Sequence, residues 1–230
     1  PYIDMTIKMI EQFGGTVTKE GQTYHVSHSG PYLPLDYLIE PDVSGASYFF
    51  AMAVLTGGSV LVKDVHLESL QGDIRFLDIL ERLGAKIEDT DAGVKLQGPV
   101  NGCYNGIDID LNDCSDQTMT LAALAVFAET PTIIRNIGHI RLQESDRIHA
   151  IVTELKKLGI TCEETNDSIT IYPGMPQPAE IDTYNDHRMA MAFSLIGLRA
   201  EGIVINDPDC TSKTFENYFE LLDDVINSTI

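Results

Sequence analysis

Six side chains could together do chemistry on an anionic substrate: Asp116, Glu144, Arg147, His187, Arg188 and Lys213. Asn185-Asp186-His187-Arg188 runs into an apolar stretch from Met189, so His187 and Arg188 fall where a helix begins, with Asp186 as a plausible N-cap. A helix N-terminus exposes unpaired N–H groups and the positive end of the dipole. A cation there is disfavoured by about 0.3–1 kcal/mol, and its placement makes sense if an anion binds at the same spot. Lys213, in Cys210-Thr211-Ser212-Lys213-Thr214, precedes a second expected helix, Phe215–Val225. Glu144 and Arg147 are spaced i, i+3 and share a face if that stretch is helical. Such a pair is either a surface ion pair worth about 0–1 kcal/mol or a general acid/base beside a guanidinium that clamps phosphate or carboxylate. Asp116 follows Asp113-Cys114-Ser115 at the start of a helix near Gln117, where an N-cap is the stronger reading from sequence alone.

A cluster of cations is notable in a chain of 230 residues with 35 Asp+Glu against 15 Lys+Arg, a formal charge of −20. That balance argues against nucleic acid and anionic membrane surfaces as partners. No apolar run reaches the roughly 18 residues of a membrane span. With 43% hydrophobic residues the chain can bury a core. Cys103, Cys114, Cys162 and Cys210 form no C-x-x-C pair, which leaves a zinc site or disulfide framework unsupported and suits a cytoplasmic protein. Neither a Walker loop, G-x-G-x-x-G, G-x-S-x-G nor H-E-x-x-H occurs. The chain opens Pro1-Tyr2-Ile3 without a charged and apolar leader, so it is expected to begin partway through a longer protein.

The elements that must position these residues repeat. Three stretches read as an amphipathic helix, a glycine and two short strands: from Ile7 through Gly14 to Val26, from Leu77 through Gly84 to Leu96, and from Ile151 through Gly159 to Ile171. Each glycine sits where a helix C-cap wants a left-handed residue. Three apolar, small-residue helices precede β-branched strands: Ala46–Leu55 before Ser59–Val62, Met119–Ala128 before Thr132–Ile134, and Met189–Leu198 before Ile203–Ile205. Helices that are apolar on most faces imply deep burial. The expected class is α/β, built from repeated units around buried helices.

Tyr184–Met191, Gln143–Arg147, Cys210–Phe215, Gln71–Phe76 and Gly45–Phe49 together resemble the EPSP synthase family, the 3-phosphoshikimate 1-carboxyvinyltransferases of the shikimate pathway and aromatic amino-acid biosynthesis. The resemblance runs end to end but covers only the C-terminal half of that enzyme. It implies an inside-out α/β barrel domain of βαβαββ units. Residues 1–41 would be the tail of the N-terminal domain plus a connector, and 42–230 the C-terminal domain.

The implied reaction moves the enolpyruvyl group of phosphoenolpyruvate to the 5-hydroxyl of shikimate 3-phosphate, with release of phosphate and no metal or cofactor. By resemblance, Asp116 faces the attacking hydroxyl and Glu144 exchanges protons with the methylene carbon. Arg147, Arg188 and Lys213 clamp phosphoenolpyruvate, His187 supports the site and Tyr2 walls the shikimate phosphate. Where the family commonly has Asn and Lys as acceptor contacts, this chain has His139 and Gln143. The missing N-terminal half would supply the remaining contacts, so the chain alone is expected to be inactive; glyphosate is the inhibitor the family implies. The alternatives are a UDP-N-acetylglucosamine enolpyruvyl transferase, against which Tyr184–Met191 argues, and a non-catalytic scaffold of the same fold.

Overall fold

The structure, a computed structural model, describes residues 2–27 and 30–227. It begins with helix α1 (Tyr2–Gln12) and the antiparallel hairpin β1 (Thr16–Glu20) and β2 (Thr23–Ser27). No residue of α1 is buried, and residues 31–42 form neither helix nor strand. Then follow α2 (Val43–Thr56), β3 (Ser59–Lys63), α3 (Phe76–Arg82), β4 (Lys86–Thr90) and β5 (Gly93–Gln97), the strands pairing antiparallel in the order β3-β5-β4. Next come β6 (Asp108–Asp110), α4 (Thr118–Ala125), β7 (Thr132–Arg135), α5 (Arg147–Lys157), β8 (Cys162–Glu164) and β9 (Ile169–Ile171). Their sheet is ordered β6-β7-β9-β8, with β6 parallel to β7 and the rest antiparallel. The described chain closes with β10 (Ala179–Ile181), α6 (His187–Ser194), β11 (Ile203–Ile205) and α7 (Tyr218–Asn227), β10 and β11 pairing in parallel.

The burial of α2, α4 and α6 follows from their composition. Every residue of α4 is buried, as is nearly every residue of α2, and the two pack on each other while α4 also packs on α6. Ala, Gly and Ser allow that close approach. The amphipathic helix α5 instead turns Ile148, Ile151, Val152 and Leu155 inward and carries Lys156 and Lys157 in its last, outward turn. Gly14, Gly84 and Gly159 all have positive φ (81°, 95° and 74°) after their helices, the left-handed stop expected of each. Gly98 serves another need: a Cβ there would stand 2.0 Å from the Ala53 carbonyl oxygen. Tyr218 of α7 and Phe215 before it stack edgewise, and both meet Phe49 of α2, anchoring the C-terminal helix to the centre.

Several boundaries differ from the sequence expectation. The last helix starts at Tyr218 rather than Phe215, because residues Pro208–Lys213 form a 3-10 turn that ends at Thr214. The helix from Met189 is α-helical only to Ser194 and tightens to 3-10 over Leu195–Leu198, and α4 stops at Ala125 rather than Ala128. Among the described residues, no helix is long and apolar enough to cross a membrane.

Candidate active site

The candidate residues arrive from segments that precede the helices. Asp116 lies in the 3-10 turn Asn112–Gln117 ahead of α4. Glu144 sits before α5, and Arg147 is its first residue. His187 and Arg188 open α6, and Lys213 ends the 3-10 turn Pro208–Lys213. Asp146 and Asp186 cap α5 and α6, accepting from the backbone N–H groups of His149 and Arg188.

Arg147 is the centre. Its side chain is 1% exposed, and its Nε donates to Asp186 Oδ2 at 2.8 Å and its Nη2 to Asp186 Oδ1 at 3.3 Å. Nη1 reaches Asp116 Oδ1 at 3.0 Å and the Gln143 side-chain oxygen; Nη2 also reaches Glu144 Oε2 at 2.8 Å. Asp116 is held from two further sides, by Arg188 Nη2 at 2.9 Å and the Tyr2 hydroxyl at 2.8 Å. Lys213 Nζ donates to Glu144 Oε1 at 3.1 Å. Thus Asp116, Glu144, Arg147, Arg188, Lys213, Gln143 and Tyr2 form one connected group. Its floor (Arg147, Asp186, His187) is buried, whereas Tyr2, Gln143, Glu144 and Lys213 stand on an exposed rim. His139 joins only indirectly: its Nε2 is 2.8 Å from the hydroxyl of Ser115, the neighbour of Asp116.

The electrostatics follow this layering. Burial works against the charge on Asp116, but Arg188, the Tyr2 hydroxyl and Arg147 outweigh it and hold the carboxyl below its ordinary range. Burial also opposes the Glu144 charge, yet its own backbone N–H, Lys213 and Arg147 pull it down to about 2. Arg188 is raised despite burial, with Tyr48, Asp116 and Asp73 favouring its charge. His187 is lowered by burial and by Arg188, so it is neutral near pH 7. Its Nδ1 is buried without a hydrogen-bond partner, 3.9 Å from Asp186.

Three local expectations are corrected here. Asp116 is not an N-cap: Gln117 occupies that place without a side-chain cap, and the Asp116 carboxylate faces two guanidinium groups instead. Glu144 and Arg147 do not share a helical face, since α5 begins at Arg147; they meet because Glu144 lies in the loop just outside the cap. Lys213 does not stand at the start of an α-helix but at the end of a 3-10 turn, held there by Glu144. His187 and Arg188 do open a helix, as their spacing predicts.

Asp186 was legible as a cap and not as the counter-ion of Arg147, which comes from 39 residues away. Ser145, whose hydroxyl donates to Asp186 Oδ2 at 3.1 Å, was also not singled out, and Ser115 was legible only as a possible cap. The turn that delivers Asp186 is strained: Tyr184 and Asn185 both have positive φ (56° and 54°), and the Tyr184 hydroxyl is pinned to buried Glu154 at 2.7 Å. Two adjacent left-handed residues just before a capping carboxylate are the signal that this turn is built for a purpose.

A carboxylate held by two guanidinium groups, a second carboxylate between Arg147 and Lys213, and a fork of arginines can exchange protons beside a bound phosphate or carboxylate. Residues 1–222 match the sequence profile of EPSP synthase (3-phosphoshikimate 1-carboxyvinyltransferase). The 3-phosphoshikimate 1-carboxyvinyltransferase of Nostoc punctiforme is 50% identical over 219 residues, 95% of this chain and 51% of the relative. That of Aeromonas salmonicida is 46% identical over 226 residues, 96% of this chain and 52% of the relative. The chain thus spans about half the length of the curated relatives it matches. Among solved structures, EPSP synthase from Acinetobacter baumannii superposes with a TM-score of 0.80 at 27% identity, over 94% of this chain and 53% of that one. The enolpyruvyl transferase NikO from Streptomyces tendae shares the fold, with a TM-score of 0.71 at 20% identity, over 96% of this chain and 51% of that one.

Proposed function

This chain belongs to the EPSP synthase family, and from that premise we propose that it carries the C-terminal half of the site that transfers an enolpyruvyl group from phosphoenolpyruvate to the 5-hydroxyl of shikimate 3-phosphate. In this reading residues 42–230 are the C-terminal domain and residues 1–41 complete the N-terminal domain and the connector. The single observation that carries it is Asp116 lying between Arg147 and Arg188, with Glu144 joined to the same guanidinium.

In the addition step the acceptor oxygen bonds to C2 of phosphoenolpyruvate while its proton passes toward Asp116, and C3 gains a proton from the side of Glu144. In the elimination step the bond from C2 to the phosphate oxygen breaks, C3 returns a proton to Glu144, and phosphate leaves with the proton that Asp116 had taken from the acceptor hydroxyl. Arg188 and Lys213 bind the donor's phosphate and carboxylate, and Arg147, whose N–H groups are all engaged in the unliganded site, joins the clamp when the donor displaces Gln143 or Glu144 from it. His187, neutral and with a free Nδ1, lines that clamp. Tyr2, His139 and Gln143 face the acceptor side. Glu144 is ionised in the unliganded site, its charge supported by its own backbone N–H, Lys213 and Arg147. A bound dianion that draws those two cations to itself raises the Glu144 pKa, which is what a proton donor to carbon requires. Glyphosate, an anion of similar size, competes for the same clamp, and the free thiols suit a cytoplasmic setting.

The remaining contacts come from the N-terminal half, so this chain alone turns over neither substrate. The test is phosphate release from phosphoenolpyruvate by this chain combined with that half, with and without shikimate 3-phosphate. Release that depends on shikimate 3-phosphate supports the reading and shows that His139 and Gln143 are tolerated. Release that depends on UDP-N-acetylglucosamine instead assigns another acceptor, and a folded, associated pair with neither activity is a scaffold. Turnover by this chain alone overturns the claim of incompleteness.

A further inference from the structure

Gln71-Gly72-Asp73-Ile74-Arg75 forms a short 3-10 turn before α3 and has no place in the chemistry above, yet it ties together the two segments that set the site's geometry. Gln71 reaches the start of α2: its oxygen accepts from Val43 N at 2.9 Å and its Nε2 donates to the Pro41 carbonyl at 2.7 Å. Arg75 reaches the turn Asn112–Gln117 from outside, through Asp113 at 2.7 Å. Between them Asp73 is buried, and its carboxylate accepts from three neutral donors. The Ser44 hydroxyl comes from the first turn of α2; Gln117 Nε2, at 3.0 Å, and Cys114 Sγ, at 3.7 Å from the other oxygen, come from the turn that carries Asp116.

The side chains of that turn divide by direction. Cys114 and Gln117 point at Asp73, Ser115 points at His139, and Asp116 points at Arg147, Arg188 and Tyr2. Gln117 is fully buried; among the described residues its amide oxygen has no partner and its side chain's one hydrogen bond is to Asp73. On its inner side the turn is held by this carboxylate, by the burial of Cys114 and by the Thr118 hydroxyl, which donates to the Ser115 carbonyl. Its backbone also departs from helical geometry at Cys114 (φ −142°, ψ 37°), so the direction of Asp116 is not set by helix periodicity.

We propose that Asp73 is a positioning residue for enolpyruvyl transfer: by gripping Cys114 and Gln117 against Ser44 of α2, it aims Asp116 at the two arginines and the acceptor hydroxyl. This rests on the function proposed above. A carboxylate suits the role because it offers acceptor sites on both oxygens, whereas an asparagine in its place presents one oxygen and an NH2 group that cannot accept. A displacement of about 1 Å at a reacting group can cost about 100-fold in rate.

The experiment uses this chain combined with its N-terminal half and compares Asp73→Asn, Asp116→Asn and the double variant by steady-state kinetics. We expect Asp73→Asn to lower kcat by about 10- to 100-fold while KM for phosphoenolpyruvate stays within about threefold, since the donor clamp sits on other elements. In the Asp116→Asn background the same substitution then costs nothing further, because Asp73 acts through Asp116. A kcat for Asp73→Asn within about twofold of the parent, a loss confined to KM, or losses that multiply in the double variant would each overturn the proposal. If Asp73→Asn does not fold, Gln117→Met breaks the same link with Asp73 in place and is judged by the same criteria. If the parent has no turnover, the functional reading has failed by itself. The Asp116 carboxyl carbon and the 112–117 amide signals, followed by NMR in the same samples, then decide whether Asp73 holds the turn: signals unchanged by Asp73→Asn refute it, displaced signals support it.

Discussion

Asp186 holds Arg147 with both carboxylate oxygens, at 2.8 and 3.3 Å, while the same carboxylate accepts the backbone N–H of Arg188 at 3.0 Å. One buried side chain therefore sets the position of two guanidinium groups, one directly and one through the helix that carries it. Replacing it by alanine leaves the Arg147 charge in the core with only its outer partners. Asp186→Ala is expected to destabilise the chain by about 3 kcal/mol or more, the range for removing one partner of a buried ion pair. Urea denaturation at pH 7 measures this, and a loss below about 1 kcal/mol would show that Asp116 and Glu144 suffice as counter-ions.

The low pKa of Glu144, about 2, predicts a direction for pH dependence. Asp116 is lowered as well. Both carboxyls bind protons more weakly in the folded chain than in the unfolded one. Their contribution to stability is therefore complete above the ordinary carboxyl range, about 3.9–4.3, and is lost as pH falls from there toward 2. Lys213→Met removes a neighbour that holds Glu144 down, so the Glu144 carboxyl should titrate at higher pH in that variant. A carbon-detected NMR titration that finds the two midpoints equal would remove Lys213 from the account.

Arg188 meets Asp116 through Nη2 from the first turn of α6, and its guanidinium also lies beside the Tyr48 hydroxyl. Arg188→Lys keeps the charge and loses the planar fork. In the assembled enzyme it should raise the apparent KM for phosphoenolpyruvate by about tenfold or more, as expected when a charge-assisted hydrogen bond of about 1.5–3 kcal/mol is lost. Unchanged initial-rate kinetics would place the donor elsewhere.

Gly98 tests the packing that brings the β5 end of its sheet against α2. Its missing Cβ would overlap the Ala53 carbonyl, a backbone atom that cannot move without moving α2. Gly98→Ala should cost about 2 kcal/mol or more, as overpacking does, and lower the melting temperature accordingly. Gly98 has no positive φ, so crowding alone sets its cost; Gly21, at positive φ with open space around it, reports the opposite case of backbone strain without crowding.

What could be read from the sequence was local or periodic. The largely apolar, small-residue-rich composition of Ala46–Leu55 announced a buried helix, and Gly14, Gly84 and Gly159 announced helix stops, because each signal lies within one turn of its effect. Asp116, Arg147 and Arg188 could be grouped as one candidate site, and Tyr2 added by resemblance, but which atoms meet could not be read, since it depends on how helices from separate units pack. The two misplaced helix starts, at Phe215 and around Glu144, share a cause. Short 3-10 turns and capped loops carry the same residue types as first helical turns, and only tertiary contacts distinguish them. Asp73 went unnoticed as an actor because a lone Asp beside a helix start looks like any other polar turn residue.

The hydrogen bonds that define the site span long stretches of chain: 114 residues from Tyr2 to Asp116, 72 from Asp116 to Arg188 and 69 from Glu144 to Lys213. This has a consequence for how the molecule comes into being. Arg147 emerges 39 residues ahead of the carboxylate that makes its burial tolerable. At a synthesis rate of about 5–20 residues per second, that is roughly 2–8 s during which the guanidinium must stay in water. Until Asp186 has been made, Asp116 and Glu144 are the carboxylates available to Arg147, so its full set of counter-ions is complete only once the start of α6 has been synthesised.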